Sequence, residues 1–184
     1  MNKLGANLSG PAVAGSNGML SAEETLIRAF HDFRDELVST LMFLLGNRDD
    51  AQDAAQDAFL KCWRNRATLG EIQNLRAWIF RVGLNTAKDM QRSAWARRAK
   101  PMVGEDVMLA ARDLSPGQIL EDKEALERLR RAILDLRTEE KEVFLLRQNG
   151  GLTYEQIAEI RQSPVGTVKT QMRAALQKLR KVLN

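Results

Sequence analysis

The chain has 184 residues, 44% of them hydrophobic and 28% charged, a composition that suits one ordinary domain or two small ones and excludes an intrinsically disordered polymer. Its one cysteine, Cys62, rules out an internal disulfide, and with its one histidine, His31, it cannot build a Cys/His zinc site. The formal net charge of +4 is modest, so it informs only where it clusters. Aromatics are scarce at 5%, while Leu, Ala, Arg, Gln and Glu are plentiful, so an all-α protein is expected. No apolar run approaches the ~20 residues of a membrane span, and the N-terminus lacks the apolar core of a signal peptide. A cytoplasmic protein without membrane insertion is expected.

Residues 1–20 are rich in turn formers, among them Gly5, Gly10, Pro11, Gly15 and Gly18, and read as a mobile tail. Ser21 with Glu24 three residues on predicts a capping box and a helix start. Leu26, Ile27, Phe30, Phe33, Leu37, Leu41, Leu44 and Leu45 continue that helix to a stop at Gly46-Asn47. His31 falls within it and reads as a surface residue.

A second helix starts at the acidic run, because Asp49 and Asp50 complement the positive end of a helix dipole. Ala51, Ala54, Ala55, Ala58, Phe59, Cys62 and Trp63 form its apolar side, and Asp49, Asp53 and Asp57 lie four apart along one ridge. That ridge could ligate a metal, but the same spacing arises on any acidic helix surface; no metal site and no cofactor are expected. Thr68–Asn74 reads as a loop. Leu75, Trp78, Ile79, Val82, Leu84 and Met90 then carry a third helix that also bears Arg76, Arg81, Asn85, Lys88 and Arg92, and Trp95 follows among Arg92, Arg97 and Arg98.

Between about 101 and 118 periodicity fades, with Pro101, Gly104, Pro116 and Gly117 as punctuation, so a linker is expected there. Leu120, Leu126, Leu129, Ile133 and Leu136 mark a further helix, and Val143, Leu145 and Leu146 a short one ending at Asn149-Gly150-Gly151. Thr153 and Gln156 form a second capping box. The helix it starts is interrupted at Ser163-Pro164, where Ser at the N-cap and Pro at the first helical position predict a restart. Val165, Val168, Met172, Ala175, Leu176, Leu179 and Leu183 give the last helix one apolar side, which leaves Thr167, Lys169, Thr170, Gln171 and Arg173 outward. Two helices joined by a tight turn, with no acid between Arg161 and Asn184, are the makings of a helix-turn-helix that enters the major groove. Gly166 weakens the helix and suits close backbone approach to DNA.

Taken together, residues 22–184 resemble the bacterial sigma factors of the extracytoplasmic-function group. The resemblance rests on Asp50–Trp63 followed by Leu75–Lys88, and on Glu142–Arg147 with Gly151–Glu159 and Pro164–Lys169. It implies two helical domains, sigma-two over 21–100 and sigma-four over 119–184, joined by a flexible linker over 101–118, and no enzymatic activity. It further implies that Asp49, Asp50, Asp53, Gln56, Asp57, Phe59, Leu60 and Trp63 dock on core RNA polymerase. Asn74, Arg76, Trp78, Arg81, Asn85, Lys88 and Arg92 would read the minus-ten element of promoter DNA, where opened non-template bases can stack on an aromatic ring and bond to amides. Thr153, Tyr154, Pro164, Gly166, Thr167, Lys169, Thr170, Gln171 and Arg173 would bind the duplex at the minus-thirty-five element. Many relatives carry Ser-Arg after the position of Lys169, where this chain has Thr170 and Gln171. An anti-sigma factor is an expected partner. A helical transcription regulator, or an anti-sigma partner mimic, that binds duplex DNA or protein without polymerase is the competing reading, and the acidic helix separates the two because a polymerase subunit needs it and a repressor does not. An enzyme fits poorly, since no nucleophile-base pair or Gly-rich phosphate loop appears.

Overall fold

A computed structural model describes residues 21–97 and 116–183, with side chains described over 21–93 and 124–182. The expected N-terminal tail, most of the linker with Glu105, Asp106 and Asp113, and the side chains of Trp95 and Arg97 lie outside the described residues. Seven α-helices and no strand are found among the described residues: α1 (Ala22–Leu45), α2 (Arg48–Arg64), α3 (Leu75–Arg97), α4 (Pro116–Leu134), α5 (Thr138–Gln148), α6 (Tyr154–Arg161) and α7 (Val165–Leu183).

The helix boundaries follow from local chemistry. The Ser21 hydroxyl accepts from Glu24 N at 3.1 Å while the Glu24 carboxylate accepts from Ser21 N at 2.8 Å, closing the expected capping box of α1. Gly46, at φ 86°, ends α1 with its N–H on the Met42 carbonyl. Asn47 does not belong to that stop: its Oδ1 accepts from Asp50 N at 2.7 Å and so begins α2. The segment expected as a loop after α2 winds into a 3-10 helix over Arg66–Glu71, before Asn74 Oδ1 caps α3 by accepting from Ala77 N at 2.8 Å. Pro116 and Gly117, expected to close the linker, are helical; proline is tolerated in the first turn because the N–H it lacks would have no partner there.

α1, α2 and α3 pack on one another, and α7 packs on α4, α5 and α6. Leu26, Leu37, Leu41, Ala51, Ala54, Cys62, Ile79, Phe80 and Leu84 fill the first group. Burying one such Leu or Phe side chain contributes about 1.5–3 kcal/mol. α1 and α3 approach closely at Gly83, where an added Cβ would lie 2.7 Å from Leu37 Cδ1. α3 is fastened to its neighbours by Lys61 Nζ, which donates to Thr86 Oγ1 at 3.0 Å, and by Gln91 Nε2, which donates to the Leu44 carbonyl at 2.7 Å. The two groups also touch, through α1 with α5 and α3 with α6.

Candidate nucleic-acid interface

On α2, Asp49, Asp53, Gln56, Asp57 and Leu60 are exposed along one side, and no basic side chain is interleaved among them. Asp50 differs, because its Oδ2 accepts from Asn47 Nδ2 at 2.6 Å and the residue is half-buried in the cap. Phe59 and Trp63 are half-buried: Phe59 meets Phe30 edge-on at 4.9 Å, and the Arg66 guanidinium lies 4.9 Å above the Trp63 ring. Cys62 is fully buried, and that burial pushes its thiol up to about 12, so it is an inert core residue. No group of His, Cys, Asp or Glu among the described residues could hold a metal ion.

On α3, Trp78, Arg81, Asn85, Lys88 and Arg92 recur at three- and four-residue steps and form one ridge; Arg81, Asn85 and Arg92 are exposed, Trp78 and Lys88 half-buried. Arg92 pairs with Asp89, and Lys88 Nζ reaches Glu142 Oε1 on α5 at 3.0 Å. The structure does not bring Arg76 to this ridge. Two residues before Trp78, it points about 160° away, over Phe33 and Phe80 at 4.4 and 5.7 Å, with Nε and Nη2 donating to the Gly150 and Asn149 carbonyls at 2.5 and 2.8 Å. Asn74 sits before the ridge with its side-chain oxygen engaged in the α3 cap.

The α6–α7 pair is built as a helix-turn-helix, although its turn differs from the expected one. Ser163 does not cap α7: its buried Oγ has no hydrogen-bond partner, and the helix hydrogen bonds begin with the Pro164 carbonyl, which accepts from Thr167 N and Val168 N. The reversal is made by Gln162, at φ 50°, with Ser163 N on the Ala158 carbonyl at 3.0 Å, a six-residue closure that ordinarily recruits glycine. Nothing in the sequence marked Gln162 for this.

Beyond the turn, Pro164, Gly166, Thr167, Lys169, Thr170 and Arg173 are exposed, and Gly166, Lys169, Thr170 and Arg173 share one face. A Cβ at Gly166 would meet nothing within 4 Å, so the fold itself does not require glycine there. The Thr170 hydroxyl donates to the Gly166 carbonyl at 2.9 Å, and the Gln171 amide oxygen accepts from Arg161, which turns Gln171 toward the protein. Thr153 caps α6 on the exposed side, and Tyr154 is half-buried with Arg147 and Lys169 at 5.2 and 5.9 Å from its ring. Beside that cap, the Glu155 carboxyl is held below its usual range by hydrogen bonds from its own backbone N–H and from the Thr153 hydroxyl. An open groove of 750 Å³ follows α7 past Lys169, Arg173, Arg180 and Lys181 with Met172 and Leu176 at its floor. An acid-free basic helix face beside an open groove can neutralise phosphate, while the acidic face of α2 cannot; the two surfaces suit different partners.

Comparison with known proteins bears on both surfaces. Residues 27–97 match the family model described as Sigma-70 region 2, and residues 126–179 match that described as Sigma-70, region 4. The chain is 31% identical to the ECF RNA polymerase sigma-E factor of Haemophilus influenzae, over 73% of this chain and 75% of that one. It is 27% identical to the RNA polymerase sigma-H factor of Pseudomonas aeruginosa, over 82% of each. Similar folds occur in the sigma factor RpoE in complex with the anti-sigma factor NepR from Bartonella quintana (TM-score 0.70, 21% identity, 86% of this chain and 96% of that one) and in CnrH in complex with the cytosolic domain of CnrY (0.60, 21%, 88% of each). The two matched regions follow one another in the chain as the acidic helix and the helix-turn-helix do, and the chain belongs to the sigma-70 family, in its extracytoplasmic-function group of RNA polymerase sigma factors.

Proposed function

We propose that this chain initiates promoter-specific transcription through three separate surfaces: the exposed side of α2 docks on core RNA polymerase, the α3 ridge holds the opened minus-ten strand, and the N-terminal half of α7 enters duplex DNA at the minus-thirty-five element. The observation that carries the reading is the placement of an acidic exposed side on α2 and an acid-free basic face on α7, in separate helical groups. Asp49, Asp53, Gln56, Asp57 and Leu60 form the docking side, with Phe59 and Trp63 holding it from behind and Asp50 fixing the start of the helix. Trp78 supplies a stacking surface, Asn85 an amide for base edges, and Arg81, Lys88 and Arg92 phosphate contacts, with Asn74 fixing the start of the ridge. Pro164, Gly166, Thr167, Lys169, Thr170 and Arg173 face the duplex, and Thr153 and Tyr154 flank it; Gln171 supports the helix through Arg161.

The division of labour follows the two groups: residues 21–100 for polymerase and the minus-ten element, 119–184 for the minus-thirty-five element, with 1–20 and 101–118 as tail and linker. The protein works in the cytoplasm, as a binding subunit without catalysis of its own. No helix among the described residues is long and apolar enough to cross a membrane. An anti-sigma factor is a fitting partner, since the two solved structures named above are complexes with a second protein, NepR in one and CnrY in the other.

Run-off transcription with added core polymerase tests the reading. Asp53→Lys with Asp57→Lys places like charges against a basic partner; core binding is expected to weaken by about 1–3 kcal/mol, roughly 5- to 150-fold, with the melting curve unchanged. Unaltered core affinity would count against α2 as the docking side.

A further inference from the structure

Glu142 stands beside Val143, Leu145 and Leu146 of α5, and its side chain is only 5% exposed. A carboxylate taken out of water is costly unless it is paired and hydrogen-bonded. Its Oε1 meets Lys88 Nζ of α3 and its Oε2 meets Arg161 Nε, each at 3.0 Å. Arg161 is the last residue of α6, where a basic side chain ordinarily lies in water near the final carbonyls, yet it is only 10% exposed. Its Nη1 donates to Gln171 Oε1 on α7. One planar guanidinium thus joins α5, α6 and α7. Because a guanidinium only donates, Gln171 has to present its oxygen inward.

This contact falls within the half of α7 that bears the exposed Gly166, Lys169, Thr170 and Arg173. A second polar tether, Lys178 Nζ on the buried Glu140 at 2.6 Å, follows two turns later, about 10 Å along the same side of the helix. Val168, Met172, Ala175 and Leu179 are buried along α7, but apolar burial is non-directional. The turn before α7 adds no side-chain hydrogen bond from Ser163, whose buried Oγ has no partner among the described residues. A helix held by one tether can swivel about it, whereas two tethers fix its direction. The Arg161 tether is the one that sets the angle of the recognition half.

We infer that Arg161 is a positioning residue for duplex reading: by bridging the buried Glu142 to Gln171 it presents α7 to the major groove at one angle, and Gln171 serves that bridge instead of reading a base. This rests on the minus-thirty-five role proposed above for α7, and it places a determinant of sequence specificity outside the exposed face. Hydrogen bonds to base edges weaken steeply when misaligned, while phosphate contacts fix register and carry no sequence information. Disturbing the bridge therefore lowers discrimination between sequences and leaves non-specific affinity alone.

Holoenzyme assembled from the full chain and core polymerase provides the test. The probe is a duplex that the wild type selects from a pool randomised across the minus-thirty-five element, and the reference is the same duplex scrambled over that element. Arg161→Lys keeps a cation for Glu142 but has one nitrogen where the guanidinium places two. Gln171→Leu keeps the bulk and removes the acceptor. Each is expected to weaken binding of the selected duplex about 5- to 20-fold with the scrambled duplex unaffected, and the double variant to lose no more than either single one. Losses that multiply in the double variant overturn the inference, because Gln171 then has a contact of its own. Unchanged affinity for the selected duplex, or equal weakening on both duplexes, overturns it too. Thermal melts verify folding; where Arg161→Lys does not fold, Glu142→Gln with Arg161→Met removes both charges together, leaves no unpaired buried ion and takes its place in the cycle. A wild type that prefers no duplex removes the proposed role of α7 and this inference with it, whereas a selective wild type with multiplying losses removes the inference alone.

Discussion

Gln162 and Gly166 carry opposite backbone demands within five residues. Gln162 adopts φ 50°, a conformation that costs a residue bearing a Cβ about 1–2 kcal/mol relative to glycine. Gln162→Gly is therefore expected to stabilise the second helical group by up to about 1 kcal/mol, read as a rise in the midpoint of its unfolding transition. Gly166 sits in ordinary helix with open space where its side chain would be, so Gly166→Ala should raise stability by up to about 1 kcal/mol. If the backbone at Gly166 approaches DNA, the same change weakens minus-thirty-five duplex binding; unaltered binding, measured by titration at fixed salt, would remove Gly166 from the interface. The sequence disclosed both capping boxes because Ser21/Glu24 and Thr153/Gln156 carry their reciprocal hydrogen bonds in four-residue patterns. It did not disclose Gln162, whose left-handed turn is imposed by the packing of α6 and α7 and has no preference of its own to betray it.

At the scale of elements, the helices were legible wherever one face is buried within its own group. Leu26, Leu37 and Leu41 repeat at helical spacing because α2 and α3 lie against them, and the same holds for Val168, Met172, Ala175 and Leu179 of α7. Gly83 shows what spacing alone misses: a Cβ there would lie 2.7 Å from Leu37 Cδ1, so α1 packs tightly on α3 at this position. Gly83→Val forces the buried Leu37 side chain aside, and overpacking of this kind costs about 1–3 kcal/mol. The expected outcome is a lowered denaturation midpoint, while a variant as stable as the parent would mean that the two helices can separate freely. The exposed basic and amide residues of α3 were also readable as one ridge, since Trp78, Arg81, Asn85, Lys88 and Arg92 obey the helix period. Arg76 falls off that period, and its separate location follows from the same arithmetic.

For the whole molecule, the order of an acidic helix, a basic-amide helix and a helix-turn-helix along the chain was sufficient to suggest two domains with distinct partners. What the sequence could not convey is how the groups meet. Phe43 stands outside the periodic row of α1, and its burial is explained by a cluster it shares with Ala132, Ile133, Leu136, Leu145, Ala175 and Leu179 of the other helical group. Contacts of this kind leave no local pattern, because neither partner's spacing changes when they form.

The amide of Gln91 on the Leu44 carbonyl and the ammonium of Lys61 on Thr86 hold α3 to its neighbours at two points along its length. A helix fastened in this way is held in place before any DNA arrives. In the role proposed for the α3 ridge, the ordering that accompanies capture of an opened strand would then fall on the nucleotides and not on the protein, with the ridge as a rigid template to which the flexible partner conforms.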